Sequence, residues 1–491
     1  MEVLPWIATE TEKQETWIVD KLQTGIQYAR QGNYQQAMEE FRKILVTHPD
    51  HALALHNLAL MHYQVGDPHQ AIETLQKALR IDIEFPEAHN SLGILYFQMG
   101  NYTEALKEFK KAIAKNVNYH QAYANYQATA KKLGLSLIDT DTDIVFYTAG
   151  IPFNGQTIYE TGLGGSESAL FYLARELARL GYKVRVFNNC DRPGTYEGVE
   201  YGDMVDFHVY RYFNKINILV SLRSLKPFKV PTEAKIKILW VQDNPNVEYL
   251  YGETLDGLDI DKIFTLSRYQ TEEWMRYFRI PEEKFFITRN GVDLTPFKEN
   301  SYQRNPNKLI YTSRPTRGLD ILLEIFPKIK AKRPEAELHL FTYVLSQDDR
   351  EMEPLLEKAR QPGVFIRGSV SKAELAREML TSWLMVYPCT FRETSCTSAI
   401  EAQAAGLPVI TSALAALPET VENGYTGIIL DGDPYSKIFQ DKLVETTLRL
   451  LSDEVEWCRL SKNAQQRTRQ YYDWKIIARQ WEKEFQALGA I

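Results

Sequence analysis

The chain is 491 residues long, 44% hydrophobic and 25% charged, with a formal net charge of −7. That length holds about three domains of ordinary size, and the composition is that of a globular protein, which excludes a disordered chain. The acidic balance argues against nucleic acid, which is bound through overall positive charge.

The opening stretch, MEVLPWIATETEKQETW, has no basic segment followed by an apolar one, and no run of 18 apolar residues occurs along the chain. Neither secretion nor a membrane span is expected. Cys190, Cys389, Cys396 and Cys458 form no CxxC pair, which fits a cytoplasmic location.

Residues 1–135 carry an internal repeat. Gly32, Gly66, Gly100 and Gly134 recur every 34 residues, as do Ala37, Ala71 and Ala105, and Phe41, Leu75 and Phe109. A period of 34 is that of paired-helix solenoid units, with glycines breaking between helices and alanines where paired helices cross closely. Gly25, Tyr28 and Pro49 in the first unit, and Leu92, Gly93, Tyr96 and Ala112 in the third, resemble tetratricopeptide repeats. Three units over 18–119 and a capping helix over 120–133 are predicted. Asn57 and Asn125 occupy one repeat position, with Ser91 between them. Such a polar ladder on the concave face suits a peptide backbone; solvation alone is the competing reading, and a partner or second copy of the chain would use the same face.

The linker 135–143 contains Asp139, Asp141 and Asp143. These acids precede a strand instead of ending one, so they are not taken as metal ligands. From 143 onward, short apolar runs alternate with helical patterns, the form of a doubly wound parallel sheet. DIVFYTAG, YKVRVFN, INILVSL, IKILWVQD and KIFTLS are the predicted strands of a first lobe, 143–298. KLIYTSR, AELHLF, VFIRG, WLMVYPC, LPVITS and GIIL are those of a second, 306–491, with its terminal helix. The polar run 299–307 lies between them as a hinge. Ligands of such sheets bind beyond the carboxyl ends of the strands.

Several motifs stand at those ends. In TGLGGSESALFYLARELARLG, Gly162, Gly164 and Gly165 form a turn opening an amphipathic helix, where unhindered amides approach a phosphate. ILWVQDNPN puts Gln242 and Asp243 at a first-lobe strand end as candidate ligand contacts. Seven of the nine histidines lie in the repeats; His208 and His339 fall in strand-like runs and are read as core residues. YTSRPTRG places Arg314 and Arg317 where two guanidiniums can clamp a diphosphate.

YPCTFRETSCTSAIEAQAAGLPVITS, 387–412, is the most informative stretch. WLMVYPC is a buried strand, and SAIEAQAAG a helix stopped by Gly406 and Pro408. Thr394, Ser395, Cys396 and Thr397 therefore lie at a helix N-terminus suited to anionic or hydroxyl-bearing atoms. Glu393 precedes it in the loop, and Glu401 lies about one turn inside the helix, within roughly 12 Å.

These residues, over about 143–485, resemble the retaining glycosyltransferases of family 4, which have the two-lobed GT-B fold. Glu393, Glu401 and AAGLPVI match the family's glutamate pair and the following Gly-x-Pro-Val strand; RNGVD at 289–293 also matches, with an expected structural role at the lobe junction. The Gly-Phe-Gly-like stretch after the first glutamate is replaced by Thr394, Ser395 and Cys396, and Arg317 stands for the family's lysine. The resemblance implies that Glu393 touches the donor sugar, that Glu401 holds the nucleotide ribose, and that neither metal nor cofactor is needed.

The expected fold is thus an α-helical repeat solenoid followed by an α/β GT-B fold. The leading expectation is a retaining transferase using a UDP- or GDP-sugar, with the repeats recruiting a protein or peptide acceptor. The alternatives are an enzyme of polysaccharide or glycolipid assembly whose repeats serve docking or oligomerisation, and a non-catalytic nucleotide-sugar scaffold.

Overall fold

The computed structural model describes residues 10–160, 163–247, 250, 252–298, 302–342 and 353–490. Gly162 and the hinge residues 299–301 lie outside them. The chain forms two units: one runs to Thr140 and includes Val205–Asn214, and the other comprises Asp141–Met204 with the residues from Lys215 onward.

The first unit is built from α1 (Glu10–Arg30), α2 (Tyr34–Thr47), α3 (Ala52–Gln64), α4 (Pro68–Ile81), α5 (Pro86–Gln98), α6 (Tyr102–Lys115) and α7 (His120–Lys132). Gly32, Gly66, Gly100 and Gly134 all have positive φ, so each ends its helix without the strain a side chain would add. Size complementarity sets the pairing within units. A Cβ on Gly25 would lie 2.5 Å from the Phe41 ring, and one on Gly93 2.6 Å from Phe109. Where Leu75 replaces the ring, Ala59 fits opposite it.

The proposed ladder is differently wired. Asn57 donates to the Leu53 carbonyl in its own helix (2.9 Å), whereas Asn125 donates to Asn90 (2.9 Å) and His56 pairs with Ser91 (3.0 Å). Polar side chains thus join neighbouring repeats.

Helix Met204–Phe213 corrects the strand-like reading of His208. Although the sequence delivers it between two first-lobe strands, Val205–Asn214 belongs to the repeat unit. Val209 is buried with Ala112, Ile113, Ala122 and Tyr123. Tyr212 stacks on Tyr123 at 3.8 Å, and Lys110 meets Asp206 at 2.6 Å. Its aromatic and apolar face covers the last repeat helices, an outcome of tertiary packing over local pattern.

The second unit contains two sheets. The first comprises β1 (Ile144–Thr148), β2 (Val184–Asn188), β3 (Gly194–Tyr196), β4 (Val199–Asp203), β5 (Ile216–Leu222), β6 (Ala234–Trp240), β7 (Lys262–Thr265) and β8 (Phe285–Ile287), in the order β3-β4-β2-β1-β5-β6-β7-β8. Only the β3–β4 pair is antiparallel. The second comprises β9 (Lys308–Tyr311), β10 (Glu337–Leu340), β11 (Val364–Ile366), β12 (Leu384–Tyr387), β13 (Val409–Ser412) and β14 (Gly427–Leu430), in the all-parallel order β11-β10-β9-β12-β13-β14. Strands β1, β9, β12 and β13 are buried throughout, which explains their unbroken apolar runs.

The terminal helix, Trp474–Ala487, corrects its placement with the second lobe. Trp474, Ile477, Ala478, Trp481 and Phe485 enter the core of the first sheet, with the Trp481 ring 4.9 Å from Trp240 and 4.6 Å from Phe264. An amphipathic face with two indoles covers apolar strands there. The chain crosses beside RNGVD: Val292 donates its N–H to the Tyr472 carbonyl (2.7 Å), and a Cβ on Gly291 would strike Trp474 at 2.7 Å. In the hinge run, Arg304 is instead anchored on the second lobe, donating to the Met379, Ser382 and Ala405 carbonyls. Asp143 accepts from the Lys183 N–H and Asp141 pairs with the Lys183 ammonium, so both linker acids secure β2.

Candidate active site

Parallel strands β9 and β12 end side by side, and each hands its chain to a loop that opens a helix. The loop after β9 carries Arg314 and Arg317 into helix Leu319–Lys332; that after β12 carries Glu393 into helix Thr397–Ala404. Gly318 makes the juncture possible, with φ of 97° and a Cα so close to the Pro388 carbonyl that a Cβ would lie 1.9 Å from its oxygen. Ser398 adds a hydroxyl bond to the Thr312 carbonyl (2.8 Å).

Glu393 is buried and accepts two charge-relevant hydrogen bonds, from Arg317 Nη1 at 2.7 Å and from the Tyr387 hydroxyl at 2.8 Å. Burial pushes its carboxyl above the ordinary range; Arg317, Tyr387 and Arg314 act against that shift without cancelling it. Burial by itself would lower the Arg317 pKa, but the raising effects of Glu393, Tyr387 and Cys396 together outweigh it, and the pKa lies above its ordinary value. The Arg317 guanidinium also lies 4.1 Å from the centroid of the Phe391 ring, a cation–π contact that fixes its plane. Arg314 is exposed, its carbonyl held by the Tyr311 hydroxyl at 2.7 Å.

Cys396 is the N-cap of the helix, and Ser395 and Thr397 flank it half-buried. Burial raises the Cys396 thiol well above its usual value and the Cys389 thiol to about 11. Both are protonated at neutral pH and unsuited to nucleophilic attack. Glu401 sits one turn inside and accepts from the Lys372 ammonium at 2.5 Å.

The first lobe meets this loop directly. Thr394 Oγ1 donates to the Gln242 carbonyl (2.7 Å), and Asn244 Nδ2 to the Arg392 carbonyl (3.0 Å). The Gln242 side chain is turned inward, exchanging hydrogen bonds with Asn290 of RNGVD at 2.8 and 3.3 Å. Asp243 accepts from Arg223 Nε at 2.6 Å, and Glu167 lies 4.0 Å from the same guanidinium. The glycine turn is explained in part by that glutamate: a Cβ on Gly164 would lie 2.6 Å from Glu167 Oε2, whereas at Gly165 nothing lies within 4 Å. Gly164 therefore has a packing reason, and Gly165 faces open space.

The structure brings Glu393, Arg317, Arg314 and Thr394 together around one loop pair, with Glu401 on the adjoining helix. It draws Gln242 into a side-chain pair and leaves Asn57 and Asn125 in the repeat unit. Sequence reasoning missed Lys372, Tyr387, Phe391, Arg223 and Glu167 as companions. Lys372 is visible in the sequence only as the start of helix Lys372–Thr381 after its Ser371 cap, and its pairing 29 residues away needs the fold.

Among known proteins, residues 306–453 match the family model of glycosyl transferases group 1, and residues 25–84 and 62–129 match tetratricopeptide repeats. A D-inositol 3-phosphate glycosyltransferase from Streptomyces coelicolor is 25% identical over 290 residues, covering 51% of this chain and 62% of that protein. A glycogen synthase from Mycobacterium tuberculosis is 24% identical over 226 residues, covering 44% and 52%. The chain thus spans only about half to three-fifths of the length of these relatives. A solved sucrose-phosphate synthase from Thermosynechococcus elongatus is 17% identical, with a TM-score of 0.55 over 71% of this chain and 99% of that one, a likeness of fold.

Proposed function

We propose that this chain, in which tetratricopeptide repeats are followed by a GT-B fold with a glycosyl transferases group 1 domain, is a retaining glycosyltransferase. In this reading it moves a sugar from a UDP- or GDP-sugar to a protein or peptide acceptor recruited by the repeats, in the cytoplasm. The observation that carries the reading is the pairing of buried Glu393 with part-exposed Arg317 at the carboxyl ends of adjoining strands, with Glu401 on the next helix.

Arg314 and Arg317 take the diphosphate and stabilise the charge that grows as the bond between the anomeric carbon and the phosphate oxygen breaks. Amides at the start of helix Thr397–Ala404, near Ser395, Cys396 and Thr397, contribute in the same direction. Gly165 leaves room for a phosphate at the facing helix end. Glu393 orients the sugar and Glu401 the ribose. The acceptor hydroxyl bonds to the anomeric carbon on the face the phosphate leaves, and its proton passes to the departing phosphate oxygen. With two guanidiniums at the diphosphate, no divalent cation is required, so chelation leaves the rate unchanged.

The test is nucleotide release by the full chain from UDP-, GDP- and ADP-sugars. Release from one donor, abolished by Glu393→Ala and by Arg317→Ala, supports the reading; undiminished release in either variant overturns the assigned role. Transfer to a non-protein acceptor is the second reading, favoured by the named activities of the relatives on an inositol phosphate and on glycogen. Deleting residues 1–135 does not separate the two cleanly, because helix Met204–Phe213 loses its packing partners. Substitutions of exposed polar residues on the repeats, read out as transfer to peptide against transfer to oligosaccharide, do separate them.

A further inference from the structure

Within the second unit, one of the contacts between the lobes sets a full charge at a helix end. The Glu419 carboxylate, in the short helix Leu417–Thr420 after β13, accepts from the Arg268 N–H through Oε2 (2.8 Å) and from the Tyr269 N–H through Oε1 (2.9 Å). These are the first two amides of helix Arg268–Phe278 in the first lobe. Free amides and the positive end of the helix dipole favour an anion at that point, and both carboxylate oxygens are used.

The contact belongs to a ring of hydrogen bonds that includes the candidate site. On one side, Ala416 donates its N–H to the Glu393 carbonyl (3.1 Å), beside Ala415 in a left-handed conformation with φ of 52°. The Glu419 backbone is fixed in turn by Arg467 and Tyr472, which donate to its carbonyl at 3.0 and 3.3 Å. On the other side, helix Arg268–Phe278 is tied to the acceptor-side strand end, because Gln270 and Trp274 both donate to the Asp243 carbonyl at 2.8 and 3.0 Å. Thr394 closes the ring by donating to the neighbouring Gln242 carbonyl.

We propose that Glu419 is a positioning residue that fixes the register of the two lobes, so that Glu393 and the strand end at Gln242–Asp243 face one reacting centre. The proposal rests on the transferase reading above. Glu419 touches neither donor nor acceptor; it acts through the first turn of helix Arg268–Phe278.

The experiment compares the full chain with Glu419→Gln and Glu419→Ala by three readouts: turnover with the donor the panel selects, affinity for the corresponding nucleoside diphosphate, and hydrogen exchange of the amides in helix Arg268–Phe278. The glutamine keeps the shape and accepts one bond where the carboxylate accepts two. Expected are turnover lowered about tenfold in Glu419→Gln and further in Glu419→Ala, faster exchange at the first turn of that helix, and nucleotide affinity within about twofold of wild type. Wild-type turnover in Glu419→Gln, or unchanged exchange in Glu419→Ala, overturns the proposal. If no donor is turned over by the wild type, the transferase reading fails by itself, and the exchange readout still decides whether Glu419 holds the lobes.

Discussion

Arg317 donates to Glu393 across 2.7 Å while its guanidinium lies over the Phe391 ring, so one side chain both neutralises the buried carboxylate and is itself held in plane. Glu393 accepts from Arg317 and Tyr387 best when ionised, yet burial raises its pKa above the usual 4.5. A carboxyl whose folded pKa is raised contributes stability that is fully present below the unfolded value and is lost as pH rises through the folded one. Removing Arg317 enlarges that loss. Arg317→Met is expected to be nearly as stable as wild type at about pH 4 and about 3 kcal/mol less stable near neutrality, measured as the melting difference across pH. Equal destabilisation at both pH values refutes the coupling.

Gly318 connects the arginine turn to the glutamate loop. Alanine there meets both a φ of 97° and the Pro388 carbonyl, which forces apart the two strand ends that carry Arg317 and Glu393. Gly318→Ala is expected to cost at least about 2 kcal/mol and to abolish nucleotide release even at temperatures where the variant stays folded. Retained release in a folded Gly318→Ala protein shows that the close approach is not needed.

Much of this site was legible in the chain. The central strands β9, β12 and β13 of the second sheet announce themselves as apolar runs because they are buried on both faces, and the turns of Arg314, Arg317 and Glu393 follow from where the first two of those runs stop. The repeat helices follow from the spacing of Gly32, Gly66, Gly100 and Gly134. What escaped is long-range choice. MVDFHVYRYF has a local pattern compatible with a strand, and only the exposed end of the repeat stack makes it a helix of that unit. Helix Trp474–Ala487 has an obvious apolar face, but nothing local says that the face is meant for β1, β6 and β7. Asn57 and Asn125 share a repeat position, yet their amides find different partners: His56 and Asn90, one position earlier in successive repeats, reach forward to Ser91 and Asn125, whereas Asn57 bonds to Leu53 in its own helix.

Lys372 pairs with Glu401 at 2.5 Å, with Glu401 largely buried and the lysine partly exposed. The ammonium holds one carboxylate oxygen; in the proposed reading the other is left for a ribose hydroxyl. Lys372→Ala is expected to weaken nucleoside diphosphate binding by about fivefold, the range of a partly exposed pair, without altering melting by more than a degree or two. Calorimetric titration checks it, and equal or tighter binding means that the lysine competes with the nucleotide.

Helix Met204–Phe213 makes a prediction about the repeat unit that is independent of any chemistry. Tyr212 stacks on Tyr123 at 3.8 Å and 7° between planes, and Arg211 donates to the Tyr123 hydroxyl and the Val117 carbonyl, each at 3.3 Å. Tyr212→Ala loses that stacking and should cost the unit about 1 kcal/mol, whereas Val209→Asp buries an unpaired charge among Ala112, Ile113 and Ala122 and should release the helix altogether. Limited proteolysis of the full chain reads this out as new cleavage within 204–214. Nucleoside diphosphate affinity, which the proposed reading assigns to second-lobe residues, is expected to stay at the wild-type value in both variants. A Val209→Asp protein that resists cleavage there shows that the helix is held by something other than this apolar face, and a truncation at residue 135 would then be the soluble protein that the packing of Val209, Tyr212 and Phe213 otherwise forbids.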